Sequence, residues 1–150
     1  MTLSAVHHHD PLLPIDPDLE RPARRADPRV LAAVAVGGMA GASARYGLAR
    51  WLSVEPGRFP WATFWTNVAG SLLLGLVLVV LLERLRPHAY VRPFAVTGVL
   101  GAFTTMSTFQ VETALLLRDG HAAAGVVYAA TSVVAGVLAA FAGITLGRPR

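Results

Sequence analysis

The chain contains no cysteine and no lysine, and its charged residues amount to only 15% of the whole. Without thiols there is no disulfide, no cysteine nucleophile and no Cys-based metal site. Without lysine, all thirteen basic residues are arginines, giving a formal net charge of +4. They stand in the N-terminal tail and near the ends of apolar stretches, not on a basic face interleaved with aromatics, which argues against nucleic-acid binding. A soluble domain carries roughly a quarter charged residues. At 54% hydrophobic in 150 residues, this chain has more apolar sequence than a small soluble core can bury. Enzyme signatures are missing too: there is no HExxH, no G-x-S-x-G, no P-loop and no pair of carboxylates within an apolar stretch.

What remains is a short, one-domain membrane chain. Residues 1–28 form a tail with Pro11, Pro14, Pro17, Pro22 and Pro28 set among Asp10, Asp16, Asp18, Glu20 and Asp27. Such a segment breaks helices and buries no core, so it is expected to be disordered. No signal-peptide order of charged, apolar and small-residue regions is visible in it. His7, His8 and His9 lack a matching set of metal ligands nearby and read as a solvated tail or a tag remnant.

The membrane domain is expected over residues 29–147, with 148–150 a C-terminal tail. Four apolar stretches run from Val30 to about Leu52, Pro60 to Leu82, Val91 to Leu117 and His121 to Leu146. Each is near the ~20 residues that cross a ~30 Å hydrocarbon layer as a helix. Trp51, Phe59, Trp61 and Tyr90 lie near their ends, where amphipathic rings prefer the interface. The connections Ser53–Phe59, Glu83–Tyr90 and Arg118–Gly120 are short, so successive helices run antiparallel. The expected fold class is therefore an all-α membrane protein of four transmembrane helices. Both termini and the second loop then share a side bearing Arg29, Arg84, Arg86, Arg92, Arg148 and Arg150, besides the tail arginines. Arg50, Arg58 and Arg118 fall on the other side, and the positive-inside rule favours cytoplasmic termini.

These stretches are not plain anchors. In the first, Gly37 and Gly41 align on one face and permit close helix approach, and Arg45 is a charge that either faces a cavity or snorkels to the interface. In the second, Asn67, Gly70, Ser71, Leu74 and Gly75 share one narrow face. The third holds Gly98, Gly101, Thr104, Thr105, Ser107 and Thr108 mid-segment, with Phe103, Met106 and Phe109 three residues apart. So many hydroxyls and glycines predict a broken helix, tolerated only where protein or a water-filled cavity covers it. Carbonyls released by such a break coordinate cations such as Na⁺. Glu112 follows, as either an ion-path residue or a solvated helix-end acid. The fourth stretch carries a stripe of Tyr128, Ser132, Gly136 and Ala140, whose default reading is close packing.

Three strings, Gly37–Tyr46 (GGMAGASARY), Thr66–Ser71 (TNVAGS) and Gly101–Phe109 (GAFTTMSTF), resemble the CrcB/Fluc family of fluoride channels over about Val30 to Gly147. The resemblance implies a channel that exports fluoride from the cytoplasm, working as an antiparallel, dual-topology dimer with two pores. It also implies a structural Na⁺ at the dimer centre, held by backbone carbonyls of Gly101 and Thr104. The implied fluoride path uses seven residues, Asn67, Met106, Phe109 with its electropositive ring edge, Ser107, Thr108, Tyr128 and Ser132, with Arg45 drawing anions into the vestibule. Met106 departs from the family, which usually has a phenylalanine there; a thioether is polarisable but has no positive ring edge. That departure and the arginine asymmetry leave two assemblies open, a homodimer or a heterodimer with a homologous subunit of opposite topology. The rival readings are a small four-helix multidrug or cation exporter and a non-transporting membrane assembly protein. The exporter needs an embedded carboxylate, typically in its first helix, and this first helix has none. The assembly protein leaves Arg45, Asn67 and the hydroxyl cluster without a purpose.

Overall fold

A computed structural model describes residues 27–53, 55–81 and 89–148. The tail with His7, His8 and His9, the second loop with Arg84 and Arg86, and Arg150 lie outside the described residues. The described residues form helices joined by turns and one extended step, with no strand among them.

Helix α1 spans Pro28–Trp51. Asp27 starts it, its carboxylate accepting the Arg29 amide at 2.9 Å, and Pro28 occupies the first position, where a missing N–H loses nothing. Helix α2 spans Trp61–Val79. The third stretch is divided. Its first half, α3, opens as a π-helical run, Pro93–Leu100, and ends in one α-turn, Gly101–Phe103. The chain then extends through Thr104 (ψ 155°) and Thr105 (ψ 116°) before α4, Met106–Arg118, begins. Helix α5 spans Ala122–Gly147. The turn between α4 and α5 is closed by Gly120, at φ 85°, with the His121 amide reaching back to the Leu116 carbonyl at 2.9 Å.

Three stretches are long and apolar enough to cross a membrane: Trp61–Val79, Pro93–Arg118 and Ala122–Gly147. Helix α1 is long enough at 24 residues, but it is not among them by composition. Arg45 and the small residues around it dilute its hydropathy.

The helices pair through glycine. In α1, a Cβ on Gly37 would overlap the Phe94 carbonyl oxygen, and one on Gly41 the Val99 carbonyl oxygen. A Cβ on Gly98 would lie 2.8 Å from the Val34 carbonyl oxygen and 2.9 Å from the Gly37 Cα. The expected close-approach face of α1 is thus filled by α3. A second seam joins α2 to α5. A Cβ on Gly143 would overlap the Leu72 carbonyl oxygen, and one on Gly75 that of Ala140. Where lipid removes the hydrophobic drive for helices to associate, such backbone contact is what holds them together. Between the two pairs lie the helix break and the polar residues.

Candidate functional site

The break at Thr104–Thr105 is held open by Asn67 of α2. The Asn67 Oδ1 accepts the Thr105 amide at 2.9 Å, and its Nδ2 donates to the Thr105 carbonyl at 3.0 Å. The Thr105 side chain then caps α4, its Oγ1 accepting the Thr108 amide at 3.2 Å and donating to the Thr108 hydroxyl at 2.9 Å. The Ser107 hydroxyl lies 3.3 Å from the same oxygen. These bonds redirect the helical ladder. The amide four residues after Gly101 is that of Thr105, turned to Asn67, and the one four residues after Thr104 is that of Thr108, turned to Thr105. The carbonyls of Gly101 and Thr104 are therefore released from their i+4 donors. Gly70 lets α2 lie against the break, since a Cβ there would overlap the Thr104 methyl.

Beside the break is a cavity of about 380 Å³ between α2, α4 and α5. Asn67, Thr104, Met106, Phe109 and Ser132 all line it, so four of the seven expected fluoride-path residues meet at one place. Met106, in the wall of this cavity, is 65% exposed overall. The Ser132 hydroxyl is buried and has no hydrogen-bond partner. An unpaired buried hydroxyl is costly in a folded protein unless something else supplies its partner.

The remaining expected residues lie elsewhere. Thr108 and Arg45 share a second cavity of about 230 Å³ with Thr63, Thr66 and Thr105. Arg45 thus faces a hydroxyl-lined space between α1 and α2, one of the two placements open from sequence. Ser107 bonds within the cap of α4. Tyr128 lines neither cavity. It is fully buried, its ring 5.3 Å from Phe109 on one side and 5.2 Å from Phe59 on another.

The Tyr128 hydroxyl donates to Glu112 Oε2 at 2.8 Å, and the Thr63 hydroxyl donates to Oε1 at 2.9 Å. Glu112 is thus a half-buried carboxylate holding α2, α4 and α5 together, not a solvated helix-end acid. Sequence reasoning did not identify its partners. The available signal was spacing: Glu112 follows Thr108 by four and Phe109 by three, which places all three on one face of α4. Glu112 also lines a third cavity, of about 290 Å³, under the loop bearing Glu55 and Arg58 and beside Asp119 and His121. There the Arg118 guanidinium, hydrogen-bonded at 2.7 Å, holds the exposed Asp119 carboxyl below its ordinary range.

With this geometry in place, likeness to known proteins becomes informative. The sequence profile described as "CrcB-like protein, Camphor Resistance (CrcB)" matches residues 32–144. The chain belongs to the CrcB-like family. Within it, the chain is 49% identical over 119 residues to "Fluoride-specific ion channel FluC 3" of Streptomyces avermitilis, a match covering 79% of this chain and 58% of that protein. The chain therefore spans under two thirds of that relative's length. It is 42% identical over 121 residues to "Fluoride-specific ion channel FluC 2" of Nocardia farcinica, covering 81% of this chain and 84% of the relative. It is 44% identical over 113 residues to "Fluoride-specific ion channel FluC 1" of Mycobacterium tuberculosis, covering 75% and 86%. The CrcB match takes in α2, α3 and α4 whole and most of α1 and α5, so it includes every site residue named above.

Proposed function

We propose that this chain is a subunit of a fluoride-selective channel of the bacterial plasma membrane that lets fluoride leave the cytoplasm. Membership of a family whose relatives carry that name is the observation that supports this most strongly. The cavity chemistry fits it. A small, strongly hydrated anion needs several donors to replace its water. The cavity offers the unpartnered Ser132 hydroxyl, the second N–H of the Asn67 amide and the Phe109 ring, whose edge is electropositive. No bond is made or broken in this activity, so the protein is a channel and not an enzyme.

In this reading α1 is a fourth membrane span, Arg45 attracts anions toward the hydroxyl-lined cavity, and Ser107, Thr108 and Tyr128 support the path. A structural Na⁺ fits the break, because the Gly101 and Thr104 carbonyls have lost their helical donors. When bound, the ion would supply a fixed positive charge there. This chain's own contribution is the pair of carbonyls and the Asn67 contact that takes up the Thr105 amide.

The working unit is a dimer of antiparallel subunits. Met106 in the cavity wall favours a second form of it, in which a homologous subunit of opposite topology completes a pore. The purified chain, reconstituted in fluoride-loaded liposomes with chloride as control, decides between these. Rapid fluoride-selective efflux establishes the channel and makes the homodimer sufficient. Folded protein without efflux alone, but with efflux after co-expression with a homologous subunit, establishes the heterodimer. Silence in both rejects the channel reading.

A further inference from the structure

The three cavities converge on one cluster. Phe109 lines the first, Thr63 the second and Glu112 the third; Tyr128 meets Phe109 through its ring and Glu112 through its hydroxyl, and is linked to Thr63 through the Glu112 carboxylate. The Tyr128 ring therefore sits among side chains that line all three spaces. Phe109 supports the ring from α4. The other support comes from outside the helices. Phe59, in the loop between α1 and α2, meets Tyr128 edge-on, at 82° and 5.2 Å between centroids.

Phe59 is itself held. Its ring lies 4.4 Å from Trp61 and 5.5 Å from Phe64, and its carbonyl accepts the Trp61 amide at 2.9 Å. Pro60, buried beside it, fixes the backbone between them. The loop is further seated by Gly57, at φ 84°, where any Cβ would press 2.8 Å from the His121 ring. A ring at the end of an apolar stretch ordinarily serves as an interface anchor. Trp51, 78% exposed, fits that role; Phe59, half-buried against Tyr128, does not.

We propose that Phe59 is a positioning residue for transport, holding the Tyr128 ring and, through its hydroxyl, the Glu112 carboxylate in the arrangement that permeation uses. The inference rests on the channel reading above. Without the Phe59 ring, Tyr128 loses one edge-on partner and its loop side opens toward the third cavity, where water competes for the Tyr128–Glu112 hydrogen bond.

The test is a double-mutant cycle on fluoride efflux from liposomes, using protein that elutes as one species. Phe59→Ala is expected to slow efflux by roughly three- to tenfold, as losing one aromatic pair implies. Phe59→Tyr, which keeps the ring, is expected to restore most of the rate. In a Tyr128→Phe background, which keeps the ring but not its hydroxyl, Phe59→Ala is expected to change efflux less than twofold, because Phe59 acts through the Tyr128 hydroxyl on Glu112. Multiplicative losses in the double variant, or wild-type efflux from Phe59→Ala, would overturn the proposal. A second readout does not need transport. In protein labelled with fluorotyrosine, the ¹⁹F resonance that disappears in Tyr128→Phe should move in Phe59→Ala, and an unmoved resonance rejects the contact. No efflux from wild type in any subunit combination removes the channel reading and the transport role with it. The resonance then reports the Phe59–Tyr128 contact alone.

Discussion

Asn67 and Thr105 are joined by two hydrogen bonds running in opposite directions, side-chain amide to backbone amide, across 38 residues of sequence. Together they imitate the pairing a β-bridge would give, and they do it where the helical ladder stops. Asn67→Ala leaves the Thr105 N–H and C=O unpaired, and Thr105 is only 7% exposed. The variant is expected to lose about 1–3 kcal/mol per orphaned group. Thermal unfolding in detergent, followed by circular dichroism, checks this, and an unchanged midpoint would show that Asn67 does not hold the break.

Ser132 separates stability from function. Its hydroxyl has no partner in the folded chain, so Ser132→Ala is expected to leave the unfolding midpoint equal or slightly higher. If the hydroxyl donates to a passing anion, the same variant should lose roughly tenfold in fluoride efflux. Equal efflux from both proteins would remove Ser132 from the path.

Met106 puts a thioether where a ring would offer a positive edge. Met106→Phe is expected to raise fluoride efflux several-fold while keeping chloride excluded, because an aromatic edge favours a small anion more than sulfur does. Electrode traces from matched liposomes read the ratio directly. A lower rate would mean that the larger ring closes the cavity.

The glycines make opposite predictions by position. Gly41→Ala and Gly143→Ala drive a methyl into a carbonyl oxygen and are expected to destabilise by about 1–3 kcal/mol each. Gly47→Ala meets open space on the same helix as Gly41 and is expected to be neutral or stabilising by up to ~1 kcal/mol. Unfolding midpoints of the three variants, measured side by side, test whether these seams carry the fold.

Glu112 should be sensitive to shape more than to charge. Glu112→Gln keeps an acceptor for Thr63 or Tyr128, whereas Glu112→Ala orphans both hydroxyls, one of them fully buried. The alanine variant is expected to be the less stable by about 1–3 kcal/mol. Equal losses in the two variants would mean that the carboxylate's charge matters more than its bonds.

Much of this could be read from local pattern. The apolar stretches gave helix bounds within a few residues, and the spacing of Gly37 and Gly41 identified a packing face that α3 indeed occupies. The hydroxyl-rich run predicted a break, found at Thr104–Thr105. What escaped were pairings between distant residues, since a sequence pattern carries periodicity but not partners. Asn67 was readable as a polar group needing bonds, not as the clasp of Thr105. Glu112 could not be matched to Thr63 and Tyr128, and Phe59 resembled an interface ring until Tyr128 was found against it. The π-helical form of Pro93–Leu100 has no periodic signature in so short a run.

The restart at Met106 has one more consequence. A helix that begins near the middle of the Pro93–Arg118 stretch brings the positive pole of its macrodipole into the interior, beside Asn67 and the first cavity. That pole arises from aligned peptide groups, so no proton, modification or side-chain rotamer switches it off. Whatever attraction it exerts on a negative ion is the same at every physiological pH, and it persists as long as Asn67 keeps the two halves apart.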